Sequence, residues 1–342
     1  MPRPGMNTGV AALAAAPFLF AALLAAPTPS ASQTQPPRLA FPVDCTLGQD
    51  CFVQNYVDRD PGPGFLDFAC GPLGYDGHRG TDIALPDRAA MRRGVAVRAA
   101  AAGVVRATRD GMIDNDNPSD ALRVPSNRAC GNGVLIDHGG GWETQYCHLA
   151  RGSVSVRAGD EVAAGDVIGE VGMSGRAEFP HLHMSLRHDG QLVDPFRPDP
   201  LRPDHCAPPE GANHGLWAEP LPYQPGGLVS AGFAERVPEF AEIREGTAAA
   251  ASLPATAPAL VFWAHVFGAR AGDRLELSII GPEGQALLQK SLVLERTQAR
   301  LFRASGRRTP PPGWPAGRYR GIAELWRGET VVDRIEAVIV LR

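Results

Sequence analysis

Between about residues 40 and 200 the chain consists of short, alternating, valine-rich runs separated by glycine. A period of two sends successive side chains to opposite faces, so this pattern predicts strands and a mainly β domain. Val95 to Ala99 and Val154 to Ala158 form a faint internal echo, each stepping through glycine into another expected strand. Val134 to His138, the three glycines 139–141 and Trp142 to Leu149 read as a hairpin around a flexible turn. The polar stretch 110–129 interrupts this pattern. Its carboxylates Asp110, Asp114 and Asp116 lack the glycine and terminal glutamate of a calcium-binding helix–loop–helix, so a solvated loop is expected.

The organisation changes twice further along. Pro200, Pro203, Pro208, Pro209, Pro220, Pro222 and Pro225 resist both helix and central strand, which predicts a linker or wrapping arm over 199–240. Strand-like runs then resume at Leu260–Phe267, Arg274–Ile280, Leu287–Leu294, Tyr319–Trp326 and Val331–Leu341. With turn signals between them, they predict a small immunoglobulin-like β-sandwich over 241–342, an accessory module with only His265 as a potential ligand. With 342 residues, the chain can bury one large core or two ordinary ones. A net charge of -4 gives no electrostatic reason to expect a nucleic-acid partner.

Arg3, the apolar run from Val10 to Ala26 and the small residues after it predict an export signal over 1–32. The mature chain, with its first domain over 33–198, is then periplasmic or secreted and contains no membrane span. An oxidising compartment preserves disulfides, and the six cysteines lack the close paired spacing of a metal cluster. Proximity pairs Cys45 with Cys51, the predicted hairpin pairs Cys130 with Cys147, and elimination leaves Cys70 with Cys206.

Chemistry concentrates in three segments. In Gly77-His78-Arg-Gly80-Thr-Asp82 the glycines weaken a helix, so a loop bearing His78 should run into a strand starting near Asp82. In Pro180-His181-Leu-His183-Met-Ser185, strand alternation places His181, His183 and Ser185 on one face and Leu182, Met184 and Leu186 in a core. Adjacent imidazoles repel when protonated but suit a metal, and two histidines with one carboxylate leave a fourth zinc position for water. His148, in Gln145-Tyr-Cys-His148-Leu149, is the natural general base, since no HExxH helix supplies a glutamate. Parity places it with Tyr146 and Thr144, opposite Cys147 and Leu149. Structural or exposed roles are expected for His138, His188, His205, His214 and His265.

Together with Gly131-Asn-Gly-Val-Leu-Ile-Asp-His-Gly139, Gly165-Asp-Val-Ile-Gly169, Gly172-Met-Ser-Gly175 and Val193-Asp-Pro195, these segments resemble the M23 (lysostaphin/LytM-type) zinc peptidases from about Gly77 to Pro195. The resemblance implies a β-rich domain with an open groove and zinc on its floor. It implies His78, Asp82 and His183 as ligands, with His148 and His181 catalytic rather than ligating. The implied substrate is a peptide bond in the stem or cross-bridge of bacterial peptidoglycan. Three other functions compete with this one. Degenerate relatives activate other wall hydrolases without catalysis, but typically lack the ligands that are filled here. A secreted zinc protease acting on proteins would use the same chemistry. A lipoyl-type carrier, suggested by Val156-Arg-Ala-Gly-Asp-Glu-Val162, lacks the modified lysine, since Lys290 is the only lysine. The chain departs from many relatives before the histidine pair, where Gly175-Arg-Ala-Glu178-Phe179-Pro180 replaces a glycine-rich stretch.

Overall fold

The computed structural model describes residues 1–2, 5, 35–200 and 215–342. The apolar run of the expected export signal lies outside the described residues, as do His205, Cys206 and His214. Residues 33–342 group as a single unit, and no helix among the described residues is long and apolar enough to cross a membrane.

The structure is mainly β. Its first part contains β1 (Phe52–Asn55), β2 (Thr81–Ala84), β3 (Ala96–Arg98), β4 (Gly103–Arg109), β5 (Asn132–Gly139), β6 (Trp142–Leu149), β7 (Glu161–Val162), β8 (Val167–Glu170), β9 (His181–His188) and β10 (Gln191–Val193). Eight of them form one sheet in the order β1-β2-β9-β6-β5-β4-β7, with β10 also paired to β9. β3 and β8 make a separate ribbon. Of the two echoing runs, the first contains β3, while 154–158 forms no strand. The hairpin forms as expected, and Gly139, Gly140 and Gly141 all adopt the positive φ that its turn needs. The short helices α1 (Arg88–Arg92) and α2 (Pro118–Ala121) follow β2 and interrupt the 110–129 stretch.

β9 lies between β2 and β6, and the register fixes the site. His183 is opposite Asp82 on one side and Cys147 on the other. Leu182, Met184 and Leu186 point into the core as alternation predicts, packing with Ile83, Val134 and Tyr146. Cys45–Cys51 and Cys130–Cys147 form the expected disulfides. Cys70 is also engaged, and its expected partner Cys206 is among the undescribed residues.

The second part contains β11 (Gly227–Ala234), α3 (Phe240–Glu245), β12 (Ser252–Leu253), β13 (Ala259–Ala269), β14 (Arg274–Ile280), β15 (Ala286–Val293), β16 (Gln298–Arg308), β17 (Gly317–Arg327) and β18 (Thr330–Leu341). A β11-β13-β16 sheet and a β12-β18-β17-β14-β15 sheet share one core, built from Phe233, Phe262, Leu277, Tyr319 and Ile339 among others. Each run expected to be a strand after residue 240 contributes to one. β11, β12 and β16 are additional strands, β11 arising within the proline-marked stretch.

Unlike an ordinary sandwich strand, β13 is buried along both faces. Leu260, Phe262, Ala264 and Val266 enter the sandwich core. On the opposite face, Trp263 packs with Ile243 of α3. Phe267 packs with Phe52 of β1 and Ala84 of β2, joined by Phe179. The outer face of this sheet is therefore covered partly by α3 and partly by the first part of the chain. Charged contacts support the junction. Glu245, at the end of α3, pairs with Arg88 at 3.1 Å and Arg92 at 3.0 Å, both in α1.

Candidate metal centre and flanking histidines

β1 carries an irregularity between Val53 and Asn55 that brings Asn55 opposite Asp82. The Asn55 amide donates to Asp82 Oδ2 at 2.8 Å. Asp82 Oδ1 lies 2.7 Å from His183 Nδ1, and Oδ2 lies 3.1 Å from His78 Nε2. The two ring nitrogens are 3.2 Å apart. His78 and Asp82 are buried and His183 is partly exposed.

Hydrogen bonding on the far side of each ring sets its tautomer. His78 Nδ1–H donates to the Tyr56 carbonyl at 2.6 Å, which leaves Nε2 with a lone pair. Ser185 Oγ gives its only proton to the Arg79 carbonyl at 2.6 Å and therefore accepts from His183 Nε2–H at 3.2 Å. His183 Nδ1 is left as a lone pair. Two imidazole lone pairs and a carboxylate thus converge on one point, with ligand atoms all within 4.8 Å of one another. Such a set is self-repelling unless positive charge sits between its members. The edge of a tetrahedron with bonds of about 2.0 Å is about 3.3 Å, close to these separations, so the donor set fits zinc. The site's electrostatics agree. Burial would lower the pKa of His78, but the Asp82 carboxylate overrides it and raises that pKa. Burial would raise the pKa of Asp82, but His78 and His181 hold it well below the usual carboxylate range.

Gly80 does more than weaken a helix. A Cβ there would lie 2.6 Å from His183 Nε2 and 2.7 Å from the Met184 carbonyl. What this position requires is room for the ligand ring.

His148 and His181 flank the centre, with ring centroids 4.6 Å apart. Strand parity misplaces His148. Tyr146, its expected companion, is in the core with its hydroxyl bonded to Ala100 N at 2.7 Å. His148 instead adopts φ 65°, uncommon for a side chain with a Cβ, and this turns its ring toward His181 and His183. Its backbone N–H donates to Cys130 at 2.8 Å, beside the Cys130–Cys147 disulfide. His148 Nδ1–H donates to the Ser174 carbonyl at 2.8 Å and His181 Nδ1–H to the Phe179 carbonyl at 2.9 Å. Both rings therefore keep an unprotonated Nε2. Burial holds both below the ordinary imidazole range, for His148 with added repulsion from His181 and His183. They are neutral at pH 7 and able to accept a proton.

The 110–129 stretch is more than a solvated loop. Asp114 accepts from Met173 N at 2.6 Å, and the Asn115 amide donates to the carbonyls of Met173 at 2.9 Å and Gly175 at 2.7 Å. It thereby fixes Ser174, the acceptor for His148. Tyr56 and Asn55 are further supports that the sequence reading missed, as they lie well before the motif that names the ligands. Of the other histidines, His138 bonds to Ala102 and Thr144, while His188 stacks on Trp142. An open groove of about 840 Å³ passes His78, Arg79 and His188.

Residues 76–195 match peptidase family M23. The DD-carboxypeptidase/endopeptidase Mpg of Neisseria meningitidis serogroup B is 41% identical over 91 residues, which are 27% of this chain and 19% of Mpg. The peptidoglycan DD-endopeptidase ShyA of Vibrio cholerae serotype O1 is 32% identical over 120 residues, 35% of this chain and 22% of ShyA. The alignments therefore span about a fifth of these relatives' length. Among solved structures, the catalytic domain of the prophage-encoded M23 protein EnpA from Enterococcus faecalis aligns at 24% identity and a TM-score of 0.30, over 44% of this chain and 92% of that one. With the ordered motifs of this stretch folded around one His–Asp–His cluster, residues 76–195 constitute a domain of peptidase family M23.

Proposed function

We propose that the protein is an exported zinc metalloendopeptidase that hydrolyses peptide bonds of bacterial peptidoglycan, in the stem or the cross-bridge. The observation that carries this reading is the convergence of His78, Asp82 and His183 on one point, with two neutral histidines beside it. The relatives' names, DD-carboxypeptidase/endopeptidase and peptidoglycan DD-endopeptidase, supply the substrate class. In this reading residues 1–32 are the export signal, 33–198 the peptidase domain, 199–240 the linking arm and 241–342 the sandwich.

His78, Asp82 and His183 hold the zinc, which when bound supplies Lewis acidity and lowers the pKa of water. His148 and His181 divide the proton transfers. The Nε2 of one receives the proton of the attacking water. The other donates to the oxyanion or to the departing amine only after its own Nε2 has taken up a proton. Because each Nδ1–H is tied to a backbone carbonyl, neither ring has to reorient during the reaction.

The purified protein should bind one zinc, release new amino termini from peptidoglycan and stop in chelator. His183→Ala should lose the metal. His148→Ala should keep it and lose turnover by roughly a hundredfold or more. Full turnover in His148→Ala would remove His148 from the mechanism. A metal-free, inactive protein that stimulates another wall hydrolase would instead identify an activator.

A further inference from the structure

The sandwich reaches the catalytic side of the peptidase domain chiefly through an arginine. Arg300, on β16, lies with its guanidinium carbon 3.9 Å from the centroid of the Phe179 ring. The same ring also packs against His181, 4.5 Å away between centroids. Phe179 also supplies the carbonyl that accepts His181 Nδ1–H at 2.9 Å. Arg300 is itself anchored on β1, where its Nε donates to Gln54 Oε1 at 2.8 Å and its guanidinium approaches Phe52 at 5.3 Å. Asn55, which orients Asp82, is the next residue after Gln54. A second sandwich arginine grips the same segment, as Arg244 of α3 donates to the Glu178 carbonyl at 3.4 Å.

We propose that Arg300 is a positioning residue for His181, acting through Phe179 to set where Nε2 of that histidine points. This inference rests on the reading of His181 as catalytic. Residues 175–180 form no regular element, so the sheet's ladder does not by itself hold the Phe179 carbonyl in place. The cation over the ring face supplies that restraint, an attraction that strengthens when both groups leave water. The guanidinium occupies this place at a cost, since Nη2 is buried with no hydrogen-bond partner among the described residues. A residue needed only for packing would not require a charge here.

The test uses the full chain. Arg300→Met keeps an unbranched apolar stem and removes the charged guanidinium. It should lower kcat roughly ten- to a hundredfold while KM and zinc content stay unchanged. Arg300→Lys, which restores a cation over the ring, should recover most of the loss. Phe179→Leu should match the methionine variant, and the double variant should be no worse than either alone. Unchanged kcat in a zinc-loaded Arg300→Met protein, or additive losses in the double variant, would overturn the proposal. A parallel measurement requires no activity. In metal-free protein with isotopically labelled histidine, the imidazole N–H of His181 should lose its exchange protection in Arg300→Met, while that of His148, bonded to Ser174, keeps it. Equal protection of His181 in both proteins would also overturn the proposal. Absence of peptidase activity in the parent chain, by contrast, would strike the functional reading and leave the exchange result to decide the positioning role.

Discussion

The short separations at Asp82 impose tolerances on residues outside the proposed zinc-binding set. Gly80 shows this most sharply. An alanine there must displace either the His183 ring or the Met184 carbonyl, and the carbonyl belongs to the β9 ladder. Gly80→Ala should therefore weaken zinc affinity roughly ten- to a hundredfold, as disturbance of a ligand's surroundings commonly does. Competition against a chromogenic chelator would measure the change, and an unaltered affinity would mean that the ring has slack which the structure does not suggest. The proposed ligands and flanking histidines were legible in the sequence because each lies in a short motif with its own chemistry. Asn55, Tyr56 and the Ser174 carbonyl were not. Their roles arise from where a bulge, a loop and a strand end meet in space, which local spacing does not encode. His148 was legible as a catalytic candidate but not in orientation, since strand parity assumes extended backbone and this residue leaves it.

At the level of elements, alternation identified β9 because Leu182, Met184 and Leu186 form an apolar face and His181, His183 and Ser185 a polar one, and the 132–149 hairpin because glycines separate two strand-like runs. It failed for β16, whose arginines at 300, 303, 307 and 308 mask the pattern, and for β11, whose small residues follow a proline-rich stretch. β13 contains a different signal that a run of apolar residues conceals. His265 is fully buried on it, and neither ring nitrogen has a hydrogen-bond partner among the described residues. Burial, with the Arg300 and Arg244 cations nearby, pushes its pKa down to about 3 from an ordinary 6.5. Between those values the unfolded chain binds the proton and the folded chain does not, so stability falls as pH drops from about 6.5 toward 3. The loss attributable to this one group is on the order of 5 kcal/mol. Denaturant titrations of the parent and His265→Leu should diverge in their pH dependence across that window, with the leucine variant flatter. Parallel curves would show that His265 finds a partner in the folded protein.

On the scale of the molecule, the covering of β13 decides how the two β regions behave. Phe52, Phe179 and Phe267 meet at the junction, and burying each such ring contributes roughly 1.5–3 kcal/mol. With the Arg88–Glu245 and Arg92–Glu245 pairs beside them, the regions should unfold together. Calorimetry of the full chain should give one transition. Phe267→Ala, with an expected loss of roughly 3 kcal/mol or more, should lower that transition without splitting it. Two separable transitions in the parent protein would contradict the continuity of the junction. The family match ends at residue 195, yet the surface that β13 presents to the first region belongs to the segment beyond it. For heredity and for engineering, the two regions are then not interchangeable cassettes. A recombinant that grafts residues 76–195 onto another scaffold inherits the motif but leaves behind the strand that shields its flank, and successful chimaeras should be those whose crossover lies outside both.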